Sequence, residues 1–147
     1  MKCIMFDMDG TLIDSIGGWF GSCSYFLKDM NLEETEELKE MFKGKKLYAR
    51  GIAIKEYYNL DLTADEIYAK NLKYVKEGYD DIYEPKENVI EALDYLKEKG
   101  YKISLNTATN IGLCRNCLER TGLIKYFNYI QTCDDCGYLK DDVRYYD

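Results

Sequence analysis

The chain has 147 residues, of which 46% are hydrophobic, so it is long enough for one modest domain with a buried core. It carries 20 lysines and arginines against 27 aspartates and glutamates, a formal net charge of -7, and such an acidic surface disfavours nucleic acid and anionic lipid as general partners. Histidine is absent, which excludes serine–histidine and cysteine–histidine nucleophiles and every histidine-ligated metal site.

The sequence also lacks the features of membrane and secreted proteins. No apolar run approaches the roughly 20 residues that cross a bilayer. Asp7 and Asp9 interrupt the N-terminal apolar stretch, which argues against a secretion signal. We therefore expect a cytoplasmic protein without a membrane partner, whose six cysteines are thiols in a reducing compartment.

The first half of the chain predicts one strand and then a group of helices. Residues 2–6 form a short apolar run that stops at Asp7, which is typical of a buried parallel strand that delivers polar residues at its C-terminal end. From 16 to about 78 the apolar residues follow helical spacing and predict about four helices. Thr63, with Glu66 three residues later, marks the start of one of them.

The second half alternates between helix and strand. The predicted elements are, in order, a helix over 89–99 that ends at Gly100, a strand over 101–106, a helix over 110–120 and a strand over 127–132. Alternation with short connections indicates parallel pairing and right-handed crossovers. We therefore predict an α/β fold, with a Rossmann-like core made of 1–14 and 84–147 and a helical domain inserted at 15–83.

Asp7 and Asp9 are two carboxylates directly after the predicted first strand. In that position they can face one small volume and share a divalent cation. A carboxylate oriented in this way can attack phosphorus, while its neighbour moves a proton to the leaving group and from water. A turn or a helix cap is the alternative for an arbitrary Asp-x-Asp, but the preceding strand and the following Gly10-Thr11 favour a reactive pair.

The run from Asp7 to Leu12, DMDGTL, together with Asp14 and Ser15, resembles the first motif of the haloacid dehalogenase-like hydrolases. The resemblance implies that Asp7 is a nucleophile that forms an aspartyl-phosphate, that Asp9 is the general acid/base, and that Mg²⁺ lies between the Asp7 carboxylate and the main-chain carbonyl of Asp9. An aspartate at position 9 points to phosphatase or sugar phosphomutase chemistry on a small phosphorylated molecule, because the dehalogenase branch lacks an acid there. Within the family, the helical insert is similar to the cap of phosphoglycolate phosphatases and beta-phosphoglucomutases.

Two further residues match later motifs of the family. A threonine hydroxyl at a strand-to-helix junction suits a phosphoryl oxygen, and the resemblance makes Thr107 the phosphate-binding hydroxyl, with a simple helix cap as the alternative. The segment that ends at Lys140 is similar to the one that carries the family's lysine, which would hold Asp7 and the phosphoryl group by charge. Asp141 stands where relatives have proline, and a solvated surface lysine is the alternative for Lys140.

The family's fourth motif, with further acidic residues after a fourth core strand, has no counterpart. The sequence ends at Asp147, seven positions after Lys140. We expect the chain to be a fragment of a longer hydrolase that lacks the fourth and fifth strands. The alternative is a truncated relative with impaired metal binding.

The cysteines support a different interpretation. Two Cys-x2-Cys pairs, separated by 15 residues, match the spacing of a four-thiolate zinc site in a non-enzymatic module: Cys114, Cys117, Cys133 and Cys136. The first pair lies on the apolar face of a predicted helix, so inert core thiols are the main alternative, with a disulfide as a further one.

One basic cluster lies in the helical insert, and it consists of Lys43, Lys45, Lys46 and Arg50. It is interpreted either as a solvated face or as a clamp for an anionic leaving group.

Overall fold

The computed structural model of the protein describes residues 2–138 and 140–146. The chain divides into two compact units, one formed by Met1–Ile16 with Tyr79–Asp147 and the other by Gly17–Gly78. Within the described part of the chain, no helix is both long enough and apolar enough to span a bilayer.

The first unit is built around a parallel sheet. Its strands follow the order β1-β2-β3 and are β1 (Cys3–Phe6), β2 (Lys102–Thr107) and β3 (Tyr129–Thr132). Ile4 lies opposite Ile103, and Thr107 lies opposite Thr132. All the strands therefore end at the same edge of the sheet, and the residues that follow them share that edge.

Two helices precede the second and third strands of this unit, as the sequence predicts. They are α5 (Val89–Glu98) and α6 (Ile111–Arg120), whereas the short α7 (Cys133–Cys136), which follows β3, is not predicted. Gly100 adopts a positive φ of 76° after α5, and the Asn110 side chain caps α6 by accepting the N–H of Gly112 at 2.9 Å. The α/β class with parallel strands is therefore confirmed.

The prediction that β1 is a buried strand is wrong, because none of its four residues is buried. Cys3 is exposed and Met5 is 61% exposed, whereas Ile4 and Phe6 are half-buried. Among the described residues β1 pairs with β2 alone, so it is an edge strand. An edge strand has a neighbour on one side only, which leaves more of its surface in contact with water.

The second unit is helical, in agreement with the spacing of its apolar residues. Its helices are α1 (Ile16–Asp29, whose first residue belongs to the other unit), α2 (Glu36–Phe42), α3 (Leu47–Tyr58) and α4 (Ala64–Glu77). The start of α4 is the predicted one, because the Thr63 side chain accepts the N–H of Glu66 and the Glu66 side chain accepts the N–H of Thr63. Its core includes Phe26, Leu38, Ile54, Ile67 and Val75.

Candidate active site

A tight turn after β1 positions the two aspartates. The Met8 carbonyl accepts the N–H groups of Leu12 and Ile13 at 2.9 and 3.0 Å. Gly10 adopts a φ of +74°, and a Cβ atom there would come within 2.7 Å of Ile16 Cγ1. Only glycine fits such a position without strain. The turn therefore closes directly beyond the strand and places Asp7 and Asp9 at the carboxyl edge of the sheet.

Asp7 forms an ion pair with Lys140. Lys140 Nζ lies 2.8 Å from Asp7 Oδ1, although 133 positions separate the two residues in sequence. The Asp7 side chain is 42% exposed, and the Lys140 side chain is 28% exposed. The structure therefore brings together the residues that the resemblance assigns to the first and third motifs, and the Asp7 carboxylate remains accessible to a ligand.

Asp9 accepts hydrogen bonds from hydroxyl groups of three chain segments. Ser15 Oγ donates to Asp9 Oδ1 at 2.6 Å, and Tyr79 Oη donates to the same oxygen. Thr109 Oγ1 donates to Asp9 Oδ2. These bonds occupy both carboxylate oxygens and fix the orientation of the side chain.

Sequence reasoning missed Tyr79 and Thr109. Thr109 could have been found, because it lies two positions after Thr107 in the same strand-to-helix junction. Tyr79 gives no such signal, since it is one of 15 tyrosines and lies 70 positions from Asp9.

Thr107 is the last residue of β2 and is fully buried. Its Oγ1 accepts the N–H of Thr109 at 3.1 Å, and its carbonyl accepts the hydroxyl of Tyr145 at 3.1 Å. Among the hydrogen bonds of the described residues, none joins Thr107 directly to an aspartate or to Lys140. Thr107 supports the turn that presents Thr109 to Asp9.

The carboxyl edge offers oxygen donors of the type that Mg²⁺ prefers. The Asp7 carboxylate is one such donor, and the resemblance to the family implies the main-chain carbonyl of Asp9 as a second. Across residues 2–138 and 140–146, no three His, Cys, Asp or Glu side chains come together as a ligand group. Mg²⁺ in phosphoryl-transfer sites is held by one or two carboxylates with phosphate oxygens and water, so this small donor set fits the ion.

The zinc alternative is not supported, because in the part of the chain that the structure describes the four thiols form no ligand cluster. Cys114 and Cys117 are fully buried in α6, and this burial raises the pKa of the two thiols to about 12 and about 11, respectively. Zinc binds thiolates, whereas these positions favour the neutral thiol. Cys133 and Cys136 are half-buried in α7, and all six cysteines are free.

The basic cluster of the helical unit is partly engaged within that unit. The Arg50 guanidinium lies 4.3 Å from the centre of the Phe20 ring, and its Nε donates to the Lys45 carbonyl at 3.0 Å. Lys43 forms an exposed ion pair with Glu40 at 2.7 Å. These contacts agree with the simpler interpretation, a solvated face with one stacked arginine.

Comparisons with known proteins agree with the fold described above. The family model of the haloacid dehalogenase-like hydrolases matches residues 4–146, so the chain belongs to that family. The chain is 24% identical to a phosphoglycolate phosphatase of Agrobacterium fabrum over 96% of its own length, and 28% identical to the pyrophosphatase PpaX of Bacillus velezensis over 97%. It spans 62% and 64%, respectively, of the lengths of these two relatives.

A solved structure shares the same fold. A candidate beta-phosphoglucomutase from Thermotoga maritima superimposes with a TM-score of 0.85 at 24% identity, over 99% of this chain and 68% of that one. The resemblance that the Asp7–Leu12 run indicates is therefore confirmed at the level of family and fold.

Proposed function

We propose that the protein hydrolyses a small phosphate monoester at the carboxyl edge of its sheet. The observation that carries the proposal is the Asp7–Lys140 ion pair at 2.8 Å, formed two positions before the hydrogen-bonded Asp9. A half-exposed carboxylate beside an ammonium group is suited to attack a phosphoryl group, because the cation offsets the negative charge of both reactants.

The proposed reaction has two steps. An Asp7 oxygen attacks phosphorus and forms an aspartyl-phosphate, while the bond from phosphorus to the ester oxygen breaks and Asp9 gives its proton to that oxygen. Asp9 then takes a proton from water as the water oxygen attacks phosphorus, which releases inorganic phosphate and regenerates Asp7. Lys140 and Thr107 are the proposed partners of the phosphoryl oxygens.

The Asp7 carboxylate and the Asp9 carbonyl are the proposed ligands of Mg²⁺. When bound, the ion neutralises charge on the phosphoryl oxygens. The contribution of the chain itself is to hold the Asp9 carboxylate in one orientation through three hydroxyl donors.

The substrate class follows from the family and from the names of the relatives. Two of the similar proteins are named phosphoglycolate phosphatase and pyrophosphatase, and a third is named phosphorylated carbohydrates phosphatase. A small phosphorylated metabolite is therefore the proposed substrate. We propose that residues 15–83 serve as the cap domain that selects it.

The test is turnover of 4-nitrophenyl phosphate and glycerol phosphate with and without Mg²⁺. We expect Mg²⁺-dependent release of inorganic phosphate, and a loss of at least about 10³-fold in Asp7→Asn, the variant that lacks the nucleophile. Asp94→Asn is the matched control, because Asp94 accepts a bond from Tyr126 away from the aspartate pair. Turnover that survives in Asp7→Asn, or its absence in the wild type, would contradict the proposal.

A further inference from the structure

Tyr79 reaches Asp9 from a buried and closely packed position. Its side chain is fully buried, and its ring packs edge-on against Tyr83 with the ring centres 5.1 Å apart. Arg120 Nε donates to the Tyr79 carbonyl at 3.4 Å, and Arg120 is also paired with Glu84 at 2.7 Å. A buried tyrosine needs a partner for its hydroxyl. Here that partner is the Asp9 carboxylate.

Thr109 holds the other oxygen of the same carboxylate. Thr109 is buried, and its N–H donates to Thr107 Oγ1 at 3.1 Å, so the backbone at the end of β2 sets the direction of its hydroxyl. The hydroxyl groups of Tyr79 and Thr109 lie 3.5 Å apart. The two hydroxyl groups therefore lie side by side and donate to different oxygens of the carboxylate. Packing already orients the side chain that carries each of them.

The bonds leave Asp9 with one direction for proton transfer. An ionised carboxylate has about four acceptor positions. Ser15, Tyr79 and Thr109 occupy three of them. A group that must give a proton to one atom and later take one from water gains from such a restriction, because catalysis depends on the orientation of the acid.

We propose that Tyr79 and Thr109 are positioning residues that aim the general acid/base Asp9 at the leaving oxygen. This inference rests on the proposed phosphatase function and deepens it. It assigns a catalytic purpose to a tyrosine that lies outside every motif of the sequence.

The experiment compares two esters that differ in their need for a general acid. Glycerol phosphate releases an alkoxide that must be protonated, whereas 4-nitrophenolate leaves with little help. The parameter is kcat/KM, which reports the steps up to cleavage of the ester bond. The variants are Tyr79→Phe and Thr109→Val, which remove a hydroxyl and preserve the shape of the side chain.

We expect each variant to lower kcat/KM for glycerol phosphate about tenfold, which is the rate equivalent of one lost hydrogen bond, and for 4-nitrophenyl phosphate less than about twofold. Tyr126→Phe is the matched control, since it also removes a hydroxyl that donates to an aspartate, Asp94, and should change neither value. Far-UV circular dichroism shows whether each variant is folded, and either variant alone suffices for the test.

The outcomes separate the two proposals. Equal losses for both esters in Tyr79→Phe and Thr109→Val, or no loss in either variant, would overturn the positioning role and leave the proposed phosphatase function intact. A wild-type protein without Asp7-dependent turnover would overturn the proposed function and this inference with it.

Discussion

Asn71 is a buried amide that the helical unit leaves without a hydrogen-bond partner. It is fully buried in α4, and within the described part of the chain neither Nδ2 nor Oδ1 has a partner. Ile67 and Val75, one turn before and one turn after it, are also fully buried, so Asn71 lies in the middle of the apolar stripe of the helix. We predict that Asn71→Leu stabilises the protein.

The size of the effect follows from opposing contributions. Burying a polar group without a partner costs about 1–3 kcal/mol, and the replacement removes that penalty. Leucine adds buried apolar surface worth about 1.5–3 kcal/mol, and this offsets an overpacking cost of about 1–3 kcal/mol that arises because leucine is larger than asparagine. We expect a net gain of about 1–2 kcal/mol. With a urea m-value of about 2 kcal/mol/M, the unfolding midpoint would rise by about 0.5–1 M.

The assay uses the single tryptophan of the chain. Trp19 lies in α1, in the same unit as Asn71, so its fluorescence follows the unfolding of that unit. The matched control is Asn106→Leu. Asn106 is also buried, but it accepts a bond from Ser104 at 2.8 Å and donates one to Gln131 at 3.4 Å.

We expect the control replacement to destabilise the protein by about 1–3 kcal/mol, because it removes bonds that are satisfied, and far-UV circular dichroism measures it. If Asn71→Leu lowered the midpoint as much as Asn106→Leu, the reasoning on the unpaired amide would be refuted.

Three further outcomes are expected. Lys140→Met should lower kcat/KM for phosphate esters about 10²-fold in steady-state kinetics, because the charge that faces Asp7 is lost. The control is Lys99→Met, since Lys99 is exposed, and an unchanged kcat/KM in Lys140→Met would contradict the prediction. Thr63→Ala should destabilise the helical unit by about 1 kcal/mol in urea, since it removes the cap of α4, and an unshifted midpoint would show that the cap contributes nothing. Burial raises the pKa of the Cys23, Cys114 and Cys117 thiols from 9.0 to about 11 or 12, so above pH 9 the unfolded chain loses protons that the native chain retains. The urea midpoint should therefore fall as the pH rises from about 9 to about 11. A midpoint that does not change with pH would contradict a contribution from these thiols.

Local sequence patterns predicted most of the elements, because each pattern reports a periodicity that the backbone itself imposes. The apolar run before Thr107 and the capping box at Thr63 are of this kind, and the structure confirms both. The prediction of a buried β1 is wrong, since burial depends on what packs beside a strand. Met5 is apolar, yet it is exposed on an edge strand.

The residues of the candidate site also differ in whether local sequence or tertiary contacts determine their placement. Asp7 and Asp9 are neighbours in sequence, and a single turn accounts for their placement. Only the family pattern assigns Lys140, because no physical rule applied to the sequence pairs two residues 133 positions apart. Tyr79 could not be assigned at all, since its role depends on a tertiary contact made by one of 15 tyrosines.

The two aspartates also differ in how the fold constrains them, and this difference matches the roles proposed for them. Asp7 is 42% exposed and is held by the flexible ammonium of Lys140, which leaves it able to approach phosphorus. Asp9 is held through both oxygens by hydroxyls of short or buried side chains. A nucleophile must travel to form a bond, whereas an acid/base must keep one orientation through two proton transfers. The tighter constraint therefore falls on the residue whose direction matters most.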